Sequence, residues 1–267
     1  MLHIYICQTT KLVKVWETDT VFKVPESVIY DPTSNSIFVA NINGGHDVKD
    51  GKGFISKIGI DGKIEKLVWA EGVDSPKGMG IFDGKLYVTD ITSVAIFDLK
   101  TAKLVKKIEF PEAKFLNDIA IDEKGNCFVS DSFDPKVYVF KNEKPEIWLK
   151  NVSFKKPNGL YAEKEFLYLI DMDGGQFYKI KYSDKSLEIM AKNVTSGDGI
   201  VKLSENQYLI SDWNGKIQLI NGATVTDLLD TREKKINAAD ICLIENEQLV
   251  IVPTFFGNNI VAYKIKK

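Results

Sequence analysis

Six stretches of the chain can be written beneath one another: PESVIYDPTSNSIFVAN, PKGMGIFDGKLYVTD, LNDIAIDEKGNCFVSD, PNGLYAEKEFLYLID, GDGIVKLSENQYLISD and AADICLIENEQLVIVP. Their equivalent second positions are Glu26, Lys77, Asn117, Asn158, Asp198 and Ala239, at intervals of 51, 40, 41, 40 and 41 residues. Within each unit, short alternating runs rich in Val, Ile, Tyr and Phe are separated by DG, NG and GG pairs, the mark of strands joined by tight turns. A period near forty residues with four strands per unit predicts an all-β, six-bladed β-propeller of four-stranded antiparallel blades. The sixth unit runs out after its third strand. KLVKVWET, residues 11–18, carries the fourth-strand pattern, so the N-terminal strand is expected to close the last blade and cover its open edge. One domain spanning residues 1–267 follows.

The first interval is the long one. Its extra residues fall in NGGHDVKDGKGF, residues 43–54, a polar, glycine-rich surface loop between the second and third strands of blade one. It reads equally as a tolerated insertion or as a lid over one face of the propeller.

Composition excludes several classes. The 267 residues carry 35 basic and 37 acidic side chains and are 44% hydrophobic. No basic stripe with interleaved aromatics suggests nucleic acid, and no apolar run is long enough to span a bilayer. The two histidines, His3 and His46, are too few and too far apart for a His-rich zinc site. Cys7, Cys127 and Cys242 form no CxxC, and the latter two read as small buried apolar residues. No phosphate-binding glycine motif is present. The N-terminal LHIYIC is too short for a signal core and lacks a preceding basic residue, so a cytoplasmic location is expected for the chain as given. A periplasmic or secreted one follows if this is a truncated export signal.

Innermost strands of a propeller surround a central channel, so equivalent positions at their starts form a ring. Glu26, Asn117, Asn158 and Asp198 bring two carboxylates and two carboxamides to it, with Lys77 and Ala239 completing it. Two close, buried carboxylates repel unless a cation neutralises them. Ca2+ accepts such an oxygen set, with Mg2+, Mn2+ or Zn2+ as alternatives; the lack of His and Cys in the ring disfavours zinc. The other solution is internal: the Lys77 ammonium pairs with Glu26 or Asp198 and plugs the channel without a metal.

These motifs resemble the gluconolactonase / senescence-marker protein family of six-bladed propellers over essentially all six repeats. The matching contexts are Glu26 in PESVIYD, Asn117 in LNDIAID, Asn158 in PNGLY and Asp198 in GDGIV. The resemblance implies that these four hold a divalent metal on the channel axis and that Asp198 also serves as general base in hydrolysis of a lactone or related ester. ANINGG, SPKGMGI, FLNDIAID, SDWNGKI and VPTFFGNNIVAYKI are similar to a bacterial subgroup whose members often carry export signals. Two departures matter. Where sugar-lactone hydrolases of the family place a substrate-holding arginine, this chain has Phe115, which favours a more apolar ligand. Lys77 sets a cation beside the ring and favours an anionic substrate or a developing oxyanion.

The expected substrate is therefore a small molecule, anionic or partly apolar, contacted by Lys77, Phe115, Trp213 and Phe255, and the expected assembly is a monomer. Trp213 and Phe255 also fit as blade packing or core, and His46 as a solvated loop residue. Asn41, Asp90, Asp131, Asp171 and Asp212 recur at second-strand ends and read as caps. The reading from a different class is a non-catalytic, metal-stabilised or lysine-plugged propeller that binds a ligand or a protein.

Overall fold

A computed structural model describes residues 10–267. The N-terminal LHIYIC, with His3 and Cys7, lies outside the described residues. Six four-stranded antiparallel sheets follow one another around a channel. Five blades are contiguous in sequence and numbered in chain order. Their innermost strands are Pro25–Asp31, Pro76–Phe82, Leu116–Ile121, Pro157–Ala162 and Gly197–Ser204. Blade six combines three C-terminal strands with Lys11–Glu17, which pairs antiparallel with Ile260–Lys266. The expected closure by the N-terminal strand is therefore observed.

The alternating pattern explains the core. The inner strands present apolar rows to both neighbouring blades, while the outermost strands are largely exposed, so the core is divided into layers between blades. Between blades one and two, Phe38, Ile55 and Trp69 meet Val88 and Phe97, and the Phe38 and Trp69 rings lie 4.6 Å apart. Cys127 and Cys242 are free thiols buried in two such layers.

Blade six departs from the repeat. Its innermost strand is only Cys242–Ile244, and Ala239 and Asp240 precede it. Asp240 bridges sideways to Ser27 of blade one: its N–H donates to the Glu26 carbonyl at 3.0 Å, and Ser27 Oγ donates to its carboxylate at 2.7 Å. Ala239 N still donates to the Pro253 carbonyl at 3.0 Å, so the segment is tied both to its own blade and to blade one.

The loop between the second and third strands of blade one crosses to blade two. Gly51 N donates to Asp74 at 2.8 Å, Lys49 Nζ to Thr92 Oγ1 at 2.6 Å, and Ser75 Oγ to the His46 carbonyl at 2.8 Å. No helix among the described residues is long and apolar enough to cross a membrane.

Candidate active site

The hub is built by a repeated local device. Strand pairing slips between Pro25 and Ser27, Pro76 and Met79, Leu116 and Ile119, Pro157 and Leu160, and Gly197 and Ile200. Glu26, Lys77, Asn117, Asn158 and Asp198 all fall in these bulges, which free a residue from the ladder and re-aim its side chain. Proline opens three of the five strands, where no ladder donor is needed.

A side chain at the end of the second strand ties down the approach to four of the five bulges. Asp90 accepts from the N–H groups of Asp74 and Ser75, Asp131 from Lys114 and Phe115, and Asp171 from Lys155 and Lys156. Asn41 accepts from Lys23 N at 3.0 Å, whereas Asp212 caps only its own turn, at Asn214 N. The preceding Ser130 and Ser211 hydroxyls accept from the bulge N–H groups of Asp118 and Gly199. The recurrent carboxylates are therefore caps that position the ring.

Glycine follows the hub residue where neighbouring strands crowd. A Cβ at Gly159 would sit 1.8 Å from the Asp198 carbonyl oxygen. Cβ atoms at Gly78 and Gly199 would each lie 2.3 Å from a carboxylate oxygen, of Asp118 and Asp240 respectively. These two aspartates thus fill space that the glycines leave open.

The ring residues meet at the floor of a cavity of about 480 Å³. Glu26, Lys77, Asn117, Asn158 and Asp198 are all buried there. Asn158 Nδ2 donates to Asp198 Oδ1 at 2.8 Å, and Asn117 Nδ2 to Ser132 Oγ at 3.1 Å. Both carboxamides therefore spend their N–H groups on neighbours, and among the described residues neither carboxamide oxygen accepts a hydrogen bond. Glu26 Oε2 is buried with no partner. Lys77 Nζ donates to the Ser75 carbonyl at 2.9 Å and to Ser75 Oγ at 3.1 Å, and stands 4.4 Å from the centre of the Phe115 ring. Its ammonium makes no ion pair with Glu26 or Asp198, so the plugged arrangement is not the one adopted.

Electrostatics leave the floor short of positive charge. Burial, then the neighbouring carboxylates Asp198 and Asp240, push the Glu26 carboxyl well above the usual range. Asp198 is raised by burial and Asp240, against the lowering hydrogen bond from Asn158. Asp118 is raised by burial and Asp240, although the Leu160 and Ile119 N–H groups bond its charged form. Burial lifts Asp240 to about 7. Burial also lowers Lys77 to about 8, with Glu26 opposing that shift. Three buried carboxyls and the half-buried Asp240 thus stand against the buried Lys77 and the half-buried Lys156, whose charge lowers Asp198. No group of three or more His, Cys, Asp or Glu side chains among the described residues converges as a metal cluster. The donors available to a hard cation are the mixed set of Glu26, Asp198 and the two carboxamide oxygens.

The cavity walls are aromatic. Phe115 and Phe133 stand on one side; Trp213, Phe255 and Phe256 stand on another. Phe255 serves two ends, packing with Ile42 and Ala239 while also lining the cavity. His46 is exposed on its loop and packs edge-on against Phe115, with ring centres 5.7 Å apart. Sequence reasoning brought together the five ring side chains with Phe115, Trp213 and Phe255, but it missed Phe133, Lys156 and the Ser75 contact to Lys77, and also Asp118 and Asp240, which neighbour the ring electrostatically but line a separate cavity. The available signal was the column one residue past the hub: Ser27, Gly78, Asp118, Gly159, Gly199 and Asp240, small everywhere except for two aspartates.

A family model described as Major royal jelly protein matches residues 88–168, under a third of the chain. No curated protein sequence matches it. Among solved structures, a catalytically inactive virginiamycin B lyase from Staphylococcus aureus with quinupristin is 12% identical, at a TM-score of 0.64 over 96% of this chain and 99% of that one. A streptogramin B lyase is 10% identical, at a TM-score of 0.66 over 97% of this chain and 98% of that one. At such identities the likeness is one of fold.

Proposed function

We propose that the cavity is the active site of a divalent-cation-dependent hydrolase acting on a lactone or related ester, as in the gluconolactonase / senescence-marker protein family that the hub motifs resemble. The observation that carries this reading is the buried, partnerless Glu26 Oε2 at the floor of an open cavity, beside Asp198 and two carboxamide oxygens left free of hydrogen bonds. An unpaired buried carboxylate is costly, and oxygen donors of this kind suit Ca2+ better than softer metals. Glu26, Asn117, Asn158 and Asp198 are the residues that would hold it. Bound there, Ca2+ supplies Lewis-acid polarisation of an ester carbonyl.

The remaining roles belong to the chain itself. Asn158 fixes one oxygen of Asp198, leaving the other to take a proton from water as general base. Lys77, anchored on Ser75, presents positive charge to an anionic group or to oxygen that gains charge during acyl transfer. The structural neighbours support the reading only in that their names describe enzymes carried on this fold.

Thermal melting with added Ca2+ and then with chelator tests the cation, because a ligand that binds only the native state raises Tm with its concentration. Asp198→Ala is expected to abolish that rise and to cut hydrolysis by about 100-fold or more. Unchanged turnover of a lactone and ester panel by Asp198→Ala would overturn the mechanism. A calcium-dependent Tm without turnover would instead leave a metal-stabilised binding propeller.

A further inference from the structure

The fold leaves two phenylalanine side chains open to solvent, and both stand at the mouth of this cavity. Phe133 is 54% exposed and Phe256 is 65% exposed, whereas every other Phe, Tyr and Trp side chain among the described residues is buried or half-buried. Neither is a loose end. Phe133 stacks face to face on Phe115, with ring centres 4.3 Å apart and planes 20° apart. The Asp131 carboxylate that accepts from Phe115 N also accepts from Phe133 N, so one residue pins both rings. Phe256 packs edge-on against Phe255 at 4.8 Å and Trp213 at 6.0 Å.

The two groups belong to opposite parts of the ring. Phe115 and Phe133 flank the first two strands of blade three, while Phe255 and Phe256 follow Leu249–Pro253 in blade six. Two blades lie between blades three and six on either side of a ring of six, so their rims face one another across the channel. Held phenyl faces in water are unfavourable, and a flat apolar body between them removes both from solvent. The cavity suits one small molecule rather than a protein segment. A polyhydroxylated ligand would leave these phenyl faces without apolar partners.

We propose that the cavity selects an aryl-bearing lactone or ester, with its ring lying between Phe133 and Phe256 and its carbonyl toward the floor, and that these two residues determine that preference. The proposal rests on the hydrolytic reading above. For an aryl lactone the reaction balances simply. Water oxygen bonds to the carbonyl carbon, the acyl carbon–oxygen bond breaks, and the phenol oxygen leaves with a proton, giving one ring-opened hydroxy acid.

Dihydrocoumarin and glucono-δ-lactone serve as paired substrates, and the lactam analogue of dihydrocoumarin reports binding by calorimetry without turnover. A preference of about tenfold or more in kcat/KM for dihydrocoumarin is expected. The Phe133→Ala/Phe256→Ala double variant should lose about tenfold or more in that preference and in lactam affinity. Both side chains are exposed, so an unchanged Tm will show that the variant folds. Equal or better hydrolysis of glucono-δ-lactone, or a preference that survives in the double variant, would sink the proposal while leaving the hydrolase intact. Lactam binding lost in the double variant, with neither lactone hydrolysed, would keep aryl selection and reject hydrolysis. Absence of both turnover and lactam binding would reject the aryl proposal as well.

Discussion

At the scale of single residues, the hub depends on side chains that never enter the cavity. Asp131 accepts from Lys114 and Phe115 at 2.9 Å, and from Phe133 and Asp134 at 3.3 Å. Asp131→Ala would strand buried N–H groups and release both phenyls, so unfolding in urea should show a loss of about 2–4 kcal/mol. Asp131→Asn keeps one acceptor oxygen and should lose clearly less; equal losses would mean that the bonds contribute nothing particular. The ring was legible in sequence because the repeat fixes phase: once PNG aligns with GDG and LND, Asn158, Asp198 and Asn117 must share a level. Asp118 and Asp240 were not legible for a physical reason. In a regular strand neighbouring side chains point to opposite faces, so Asp118 should face away from the axis if Asn117 faces it. The bulge between Leu116 and Ile119 breaks that alternation, and Asp240 precedes its strand altogether. The partner of Lys77 was hidden similarly, since Ser75 lies outside the aligned segment and its contact is set by the chain's path before Pro76.

At the scale of elements, the innermost strands approach one another so closely that glycine is required between them. Gly159→Ala must move the Asp198 carbonyl, because its Cβ would stand 1.8 Å away, and backbone there cannot yield cheaply. A stability loss of about 3 kcal/mol or more is expected in denaturant melts, from overpacking and strain; a loss below about 1 kcal/mol would show that the strands separate freely. The outermost strand of blade six makes the complementary point. Lys11–Glu17 pairs along Ile260–Lys266, and Thr18 Oγ1 accepts from Ile260 N at 3.0 Å. A chain beginning at Asp19 would expose that edge for pairing with a second chain. It should show a lower Tm and concentration-dependent association in sedimentation velocity, and a monomer of unchanged Tm would show that the closing strand is dispensable. This strand was legible because its pattern matched the fourth strands of other units. The shortness of Cys242–Ile244 was not legible, because the sideways bonds of Asp240 to Glu26 and Ser27 come from a different blade.

At the scale of the whole molecule, closing six blades concentrates acid on the axis. Glu26, Asp118, Asp198 and Asp240 come from blades one, three, five and six; the amines near them are Lys77 of blade two, beside Glu26, and Lys156 just before blade four, whose charge lowers Asp198. Asp240 is the common neighbour: its charge raises the carboxyls of Glu26, Asp118 and Asp198 alike. With a folded pKa of about 7, against about 3.9 in an unfolded chain, Asp240 holds a proton in the folded state that the unfolded state has already released. Stability of the metal-free protein is then greatest below about pH 4 as far as this group is concerned, and it falls as pH rises toward about 7, by up to about 1.4 kcal/mol per pH unit for each carboxyl so raised. Asp240→Asn retains an acceptor for Ser27 but cannot ionise, and it also relieves the repulsion felt by the other three. In chelator, the wild-type Tm should therefore drop between pH 5 and pH 8, and the variant should drop markedly less. Added Ca2+ should flatten the wild-type slope by favouring the ionised carboxylates at the floor, so that Asp240→Asn gains least where calcium is present. Parallel pH profiles for wild type and variant in chelator would mean that the axial carboxyls do not share their charge, and the argument that the channel needs a cation would lose its electrostatic basis.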